Sequence, residues 1–133
     1  MPAVVADTHA FIWYLFEPDL LSTQARAALT QAELDPGLIY IPSICLVEVR
    51  YLVEKGIFGE DVFKEMVNSL LNTSTAPTVV SLDLDITRNL ARITRTEVPD
   101  MPDRIIAATA LTLDLPLITR DREIQSSIVQ SIW

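Results

Sequence analysis

Four acids in this 133-residue chain stand where a carboxylate can be more than a surface charge. Asp7 ends the apolar run of "VVADTHAFIWYL", and Glu48 interrupts "ICLVEVRYLV". Asp103 lies in "PDMPDRIIAATA", and Asp121 follows the short apolar stretch of "LPLITRDREI". Taken singly, three have ordinary explanations. Asp7 suits the N-cap of a helix beginning at Thr8, and Asp103 complements a helix dipole from the first turn. Asp121 can cap a short helix or pair with Arg120 or Arg122 in solvent, where such pairs contribute little. Glu48 resists this treatment, because its surroundings are apolar nearly all round and an unpaired acid is expensive there. Acids gathered in one place repel and raise each other's pKa values unless a cation holds them. Ligation by Asp and Glu oxygens, without a Cys/His cluster, points to Mg²⁺ or Mn²⁺ rather than zinc. Such ions polarise a phosphoryl oxygen, activate a water and steady the departing oxygen, so the implied chemistry is phosphodiester hydrolysis. No Ser–His–Asp arrangement competes. His9, the single histidine, is expected on a helix surface or half-buried, with no catalytic role. Thr119 either orients an acid or a water from behind, or is a plain β-branched strand residue.

Whether the acids meet depends on the elements that carry them. A strand over 3–6 leads into a helix near 8–16. "LSTQARAALTQAEL" is a second helix with Ser22 as N-cap, stopped at Pro36-Gly37. "LIYI" is a buried strand, and Pro42-Ser43 starts a helix through about Glu54. "EDVFKEMVNSLLN" has helical spacing, "TVVSL" is a strand, and "LDITRNLARIT" is a helix. "DRIIAATALTLDL" is helical, "PLIT" is a strand, and "SIVQSIW" adds an edge strand. Strands alternating with helices predict one α/β domain over 1–133 with an open parallel sheet covered on both faces. Ligands of such sheets bind outside the carboxyl ends of the strands, where right-handed crossovers also bring the helix N-termini. Asp7, Asp121 and Asp103 are expected at that edge, with Glu48 joining if its helix runs close by. Asp7 and Asp103 are the expected direct ligands, and Asp121 and Glu48 complete the pocket directly or through water.

Composition narrows the rest. Three glycines, Gly37, Gly56 and Gly59, exclude a Gly-rich phosphate loop. A net charge of −8 is unusual for a polyanion binder, but it is unevenly spread. Residues 1–87 hold four basic and twelve acidic side chains, whereas residues 88–122 hold six arginines against five acids. Arg88, Arg92 and Arg95 at i, i+4 and i+7 would share one helix face. Arg92, Arg95 and Arg104 are the expected contacts to substrate phosphates. Lone Cys45 excludes an internal disulfide and fits a reducing compartment. No signal-peptide pattern and no 18-residue apolar stretch is present, so the expectation is a cytoplasmic protein without membrane association.

With these motifs in order, "VVADTHAFIWYL", "PSICLVEVRYLVEKG", "PDMPDRIIAATA" and "LPLITRDREI" resemble the PIN-domain ribonucleases, particularly the VapC-type toxins of toxin–antitoxin pairs. The resemblance spans nearly the whole chain. It implies a three-layer α/β/α domain with a central parallel sheet and Mg²⁺- or Mn²⁺-dependent endonucleolytic cleavage of RNA. It also implies a homodimer and a small VapB-like antitoxin partner. The family's four acids fall on Asp7, Glu48, Asp103 and Asp121, and its accompanying Thr on Thr119. Two other phosphoryl-transfer classes fail on residues. A haloacid-dehalogenase-like phosphatase needs an Asp where His9 stands, and a response-regulator receiver needs a late Lys, whereas none follows Lys64. A non-catalytic binding module with four capping or surface acids, and a PIN nuclease of RNA processing without an antitoxin, are the remaining alternatives.

Overall fold

The computed structural model describes residues 2–36 and 38–133, so the expected stop at Gly37 lies outside the described residues. The apolar run before Asp7 forms strand β1 (Val4–Ala6), buried along its whole length as a strand covered on both faces must be. In chain order the other strands are β2 (Ile39–Pro42), β3 (Pro77–Val80), β4 (Leu117–Ile118) and β5 (Ser131–Ile132). They form one five-stranded sheet in the order β3-β2-β1-β4-β5. Every pairing is parallel, with Val4 beside Ile39 and Val5 beside Leu117. The helices are α1 (Thr8–Phe16), α2 (Thr23–Ala32), α3 (Ser43–Glu54), α4 (Glu60–Leu71), α5 (Leu84–Asn89), α6 (Met101–Leu113) and α7 (Arg122–Gln125). They flank the sheet, giving the expected three-layer α/β/α architecture. Val5, Ile39, Ile41, Leu117 and Ile118 from the strands pack with Phe11, Leu29, Met66 and Ile106 from the helices in a fully buried core.

Local chemistry explains most boundaries. The Ser22 hydroxyl accepts the Ala25 N–H at 3.0 Å and starts α2. Beyond α3 the chain reverses through Gly56 at φ 78°, a left-handed ending that glycine adopts without a Cβ penalty. Strand order departs from chain order between β1 and β4, so the connections wind away from that point in both directions. A crevice is expected at the carboxyl ends of those two strands. Backbone bonding ties them together there, with the Asp7 N–H donating to Ile118 O at 3.1 Å. Among the described residues no helix is long and apolar enough to cross a membrane.

One predicted element is corrected. The helix expected through "LDITRNLARIT" ends at Asn89, tightens into a 3₁₀ turn over Leu90–Arg92, and then leaves helical geometry. Two competitors for its backbone explain the break. Arg104 reaches back from α6 and donates Nε to Ile93 O at 2.6 Å and Nη2 to Leu90 O at 2.8 Å. The Thr94 N–H and Oγ1 meanwhile donate to Glu97 Oε1, while the Glu97 N–H donates to Thr94 Oγ1. This reciprocal turn displaces the next helical bonds. Arg95 therefore lies beyond the helical segment, while Arg88 and Arg92 line one depression.

Arg104 is thus a clamp between α6 and the turn over 90–93. Arg104→Leu removes two charge-assisted bonds and leaves the Ile93 carbonyl without its partner, while Leu90 O keeps the Ile93 N–H, a destabilisation of about 2 kcal/mol. Thermal melts should show a Tm lower by roughly 5–10 °C. An unshifted Tm would mean that the clamp contributes nothing.

Candidate active site

The crevice at the switch point is an open pocket of about 390 Å³, and its wall carries Asp7, Glu48, Asp103 and Asp121. All four acids singled out in the sequence are brought together. Thr8, His9, Trp13, Asp100 and Arg120 complete the lining.

Each acid is fixed by a bond that also builds the fold. Asp7 is the N-cap of α1, its Oδ1 accepting the Ala10 N–H at 2.8 Å. Asp121 caps α7 in the same way, Oδ1 accepting from Ile124 N at 3.0 Å. Asp103 lies in the first turn of α6, whose N-cap is Asp100; Asp100 Oδ2 accepts the Asp103 N–H at 3.1 Å. Glu48, on α3, accepts a 2.5 Å bond from the buried Thr8 hydroxyl. The capping explanation and the pocket location are compatible, because a cap occupies one oxygen of a carboxylate that has two.

Asp100 is the acid that sequence reasoning missed. Glu48, Asp100 and Asp103 can each present one oxygen such that all three lie within 4.8 Å of one another. The available signal was an Asp immediately before a helix with Pro at its second position, an N-cap pattern that reads at first sight as a mere chain break. Glu48, Asp100 and Asp103 therefore make a three-carboxylate group in the pocket, with Asp7 and Asp121 on the same wall.

The electrostatics follow from burial and crowding. Burial pushes the Asp103 carboxyl up from 3.8 to about 8, reinforced by Asp100, Asp121 and Glu48 and by a side-chain hydrogen bond to Asp121 that favours the protonated form. Glu48 is raised by burial and by Asp100 and Asp7, against the Thr8 hydrogen bond. Asp7 is raised by burial against the bonds from Thr119 and Ala10. Buried Thr119 thus supports Asp7, and its hydroxyl also accepts the Asp121 N–H at 3.1 Å. Beneath the acids, burial holds the Cys45 thiol in its neutral form. Among the described residues, no Lys or Arg forms an ion pair with any of the five acids.

The donor set fits a hard divalent cation. It offers carboxylate oxygens at close range, with Asp7, Glu48 and Asp103 raised in pKa by burial and by their acidic neighbours. Among the described residues, no Lys or Arg is in an ion pair with them. Glu48, Asp100 and Asp103 are placed to hold such an ion, with Asp7 and Asp121 beside them.

The arginines are arranged differently from expectation. Arg92 and Arg95 are exposed and outside the pocket, and Arg104 is engaged by the carbonyls of Leu90 and Ile93. The cation at the pocket is Arg120, over the Trp13 ring. His9 is exposed at the rim and leans on Trp13.

A pH dependence follows. The folded Asp103 binds its proton more tightly than the unfolded one, so it favours the folded state fully below about pH 4. That contribution is lost as pH rises toward about 8. Melts of the protein in EDTA should show Tm falling across that window. Asp103→Asn should flatten the fall and raise Tm at its upper end by about 2–5 °C. A variant with the wild-type pH profile would show that Asp103 does not titrate as its surroundings imply.

The sequence pattern that defines the PIN domain matches residues 4–127. No curated protein matches the chain. Among solved structures, the chain superposes on DNA-bound VapBC from Salmonella typhimurium with a TM-score of 0.71 and 20% identity, covering 98% of this chain and 97% of that one. VapBC2 from Rickettsia felis, bound to a DNA fragment from its promoter, gives 0.70 and 16% over 97% and 96%. VapC20 of Mycobacterium tuberculosis, a sarcin-ricin loop cleaving toxin, gives 0.68 and 12% over 96% of each chain. The acids at the switch point thus belong to a fold found in toxin–antitoxin assemblies, and this chain is a member of the PIN domain family.

Proposed function

We propose that the chain is a Mg²⁺- or Mn²⁺-dependent endoribonuclease, the toxin of a toxin–antitoxin pair that acts in the cytoplasm as a single-domain homodimer held by a small VapB-like antitoxin. One observation carries the nuclease reading: Asp7, Glu48, Asp100, Asp103 and Asp121 face one open pocket with no paired protein cation. That is an unfavourable arrangement unless something divalent and then something anionic completes it. The antitoxin half draws support from the VapBC assemblies on which the chain superposes.

A divalent ion held there supplies the charge that neutralises a phosphate and lowers the pKa of a water at neutral pH. The chain's own residues do the rest. Glu48, Asp100 and Asp103 can bring three oxygens within 4.8 Å of one another and would set where the charge sits. Asp7 and Asp121, on the β1 and β4 side, are placed to orient the attacking water and accept its proton. Thr119 keeps Asp7 in position and its carboxyl lower than burial alone would leave it. Thr8 does the same for Glu48. The pocket is open on one side, so a strand can lay a backbone phosphate across the acids without its bases being enclosed.

Purified protein incubated with RNA and Mn²⁺ should cleave it internally, and EDTA should abolish cleavage. Asp7→Asn retains a capping side chain, so the fold should survive while cleavage falls about 100-fold or more. A folded Asn variant that cuts at the wild-type rate would remove Asp7 from the site, and a wild-type protein inert with every divalent metal would favour the binding-module reading. Thr119→Val keeps shape and loses the hydroxyl; a decrease of about tenfold in cleavage is expected, with Tm lower by a few degrees because the Asp121 N–H loses its acceptor. Full activity in this variant would leave Thr119 a packing residue.

A further inference from the structure

Arg120 presents a puzzle that the nuclease reading does not absorb. It adjoins Asp121 in sequence and lines a pocket with five carboxylates, yet it forms no ion pair with any of them. Instead its guanidinium carbon lies 4.7 Å from the centroid of the Trp13 ring. That ring is itself held on other sides, by His9 at 5.6 Å and 47° and by Trp133 at 5.8 Å and 54°. Trp13 comes from α1, Arg120 from the segment after β4 and Trp133 from the end of β5, so three parts of the chain build this arrangement. A guanidinium over an indole face is attracted by the ring quadrupole, and its flat face and outer N–H groups stay open to a second partner.

We propose that Trp13 holds Arg120 away from the acids, which leaves the carboxylates free for a divalent cation and the guanidinium free for a phosphate of the substrate strand. An arginine among five acids would otherwise fold onto them and act as a built-in competitor of the metal. Trp13 is then a positioning residue that acts through Arg120, and Arg120 is the phosphate contact beside the scissile position. The phosphate half of this assignment rests on the nuclease reading; the Trp13 half rests on its divalent-cation site alone and not on RNA cleavage.

The test is a cycle of Mn²⁺ binding by titration calorimetry on wild type, Trp13→Ala, Arg120→Gln and the double variant, each checked for fold by circular dichroism. Trp13→Ala should weaken Mn²⁺ binding about threefold or more, because the released guanidinium pairs with the acids. Arg120→Gln should bind at least as tightly as wild type, and the double variant should match it. Unchanged Mn²⁺ affinity in Trp13→Ala, or a double variant as weak as Trp13→Ala, would overturn the assignment. Where Trp13→Ala does not fold, Trp13→Phe replaces it with a smaller expected loss and the same required recovery. For the phosphate half, a single-stranded RNA oligonucleotide is bound in Ca²⁺ at several salt concentrations. Arg120→Gln should reduce the log–log salt slope by about 0.7, one single-strand phosphate contact. An unchanged slope would overturn that half. A wild-type protein that shows the Mn²⁺ cycle but neither binds nor cuts RNA would remove the nuclease reading and leave the Trp13 assignment standing.

Discussion

Five carboxylates crowded into one half-buried pocket are the condition around which this molecule is organised. Burial first, and their acidic neighbours after it, raise Asp103, Glu48 and Asp7 above the ordinary carboxylate range. The geometry persists because the bonds that fix the acids are bonds that the fold needs anyway. Asp7, Asp100 and Asp121 begin α1, α6 and α7, and a side-chain cap contributes about 1 kcal/mol to each start. Losing the site geometry would mean losing three helix starts, so folding enforces the cluster.

Much of this was legible from sequence because the strands are short, apolar and followed at once by an acid. A carboxylate at a strand–helix junction has one place to go in a parallel sheet, and Asp7 and Asp121 went there. What sequence could not supply was tertiary approach. Asp100 reads locally as part of a proline-flanked break, and its nearness to Glu48 exists only because α3 and α6 pack together. The same holds for the helix that ends at Asn89. Its local periodicity is helical, but Arg104, from another element, takes two of the carbonyls on which continuation depends.

The arginines show how a charge count can mislead. Six of them in residues 88–122 look like a cationic rim, yet their surroundings give them separate tasks. Arg104 joins two segments through backbone carbonyls, and Arg120 lies on an indole at the mouth of the pocket. Arg88 and Arg92 line a different depression with Asp85. Among the described residues, the arginine that lines the acidic pocket is Arg120, in a defined pose over Trp13.

The neutral thiol beneath the pocket has a consequence for ion selectivity. Cys45 lies one helical turn from Glu48, close enough to the acids to feel the charge of Asp7, Glu48 and Asp103, and burial keeps its proton on. A thiophilic ion such as zinc or cadmium gains its usual advantage only from a thiolate, and would have to remove that proton from a fully enclosed group. The sulfur behind the pocket thus behaves as hydrocarbon toward soft metals, while the lining offers carboxylate oxygen to hard ones. Discrimination between the two classes is built into the depth at which one sulfur is buried.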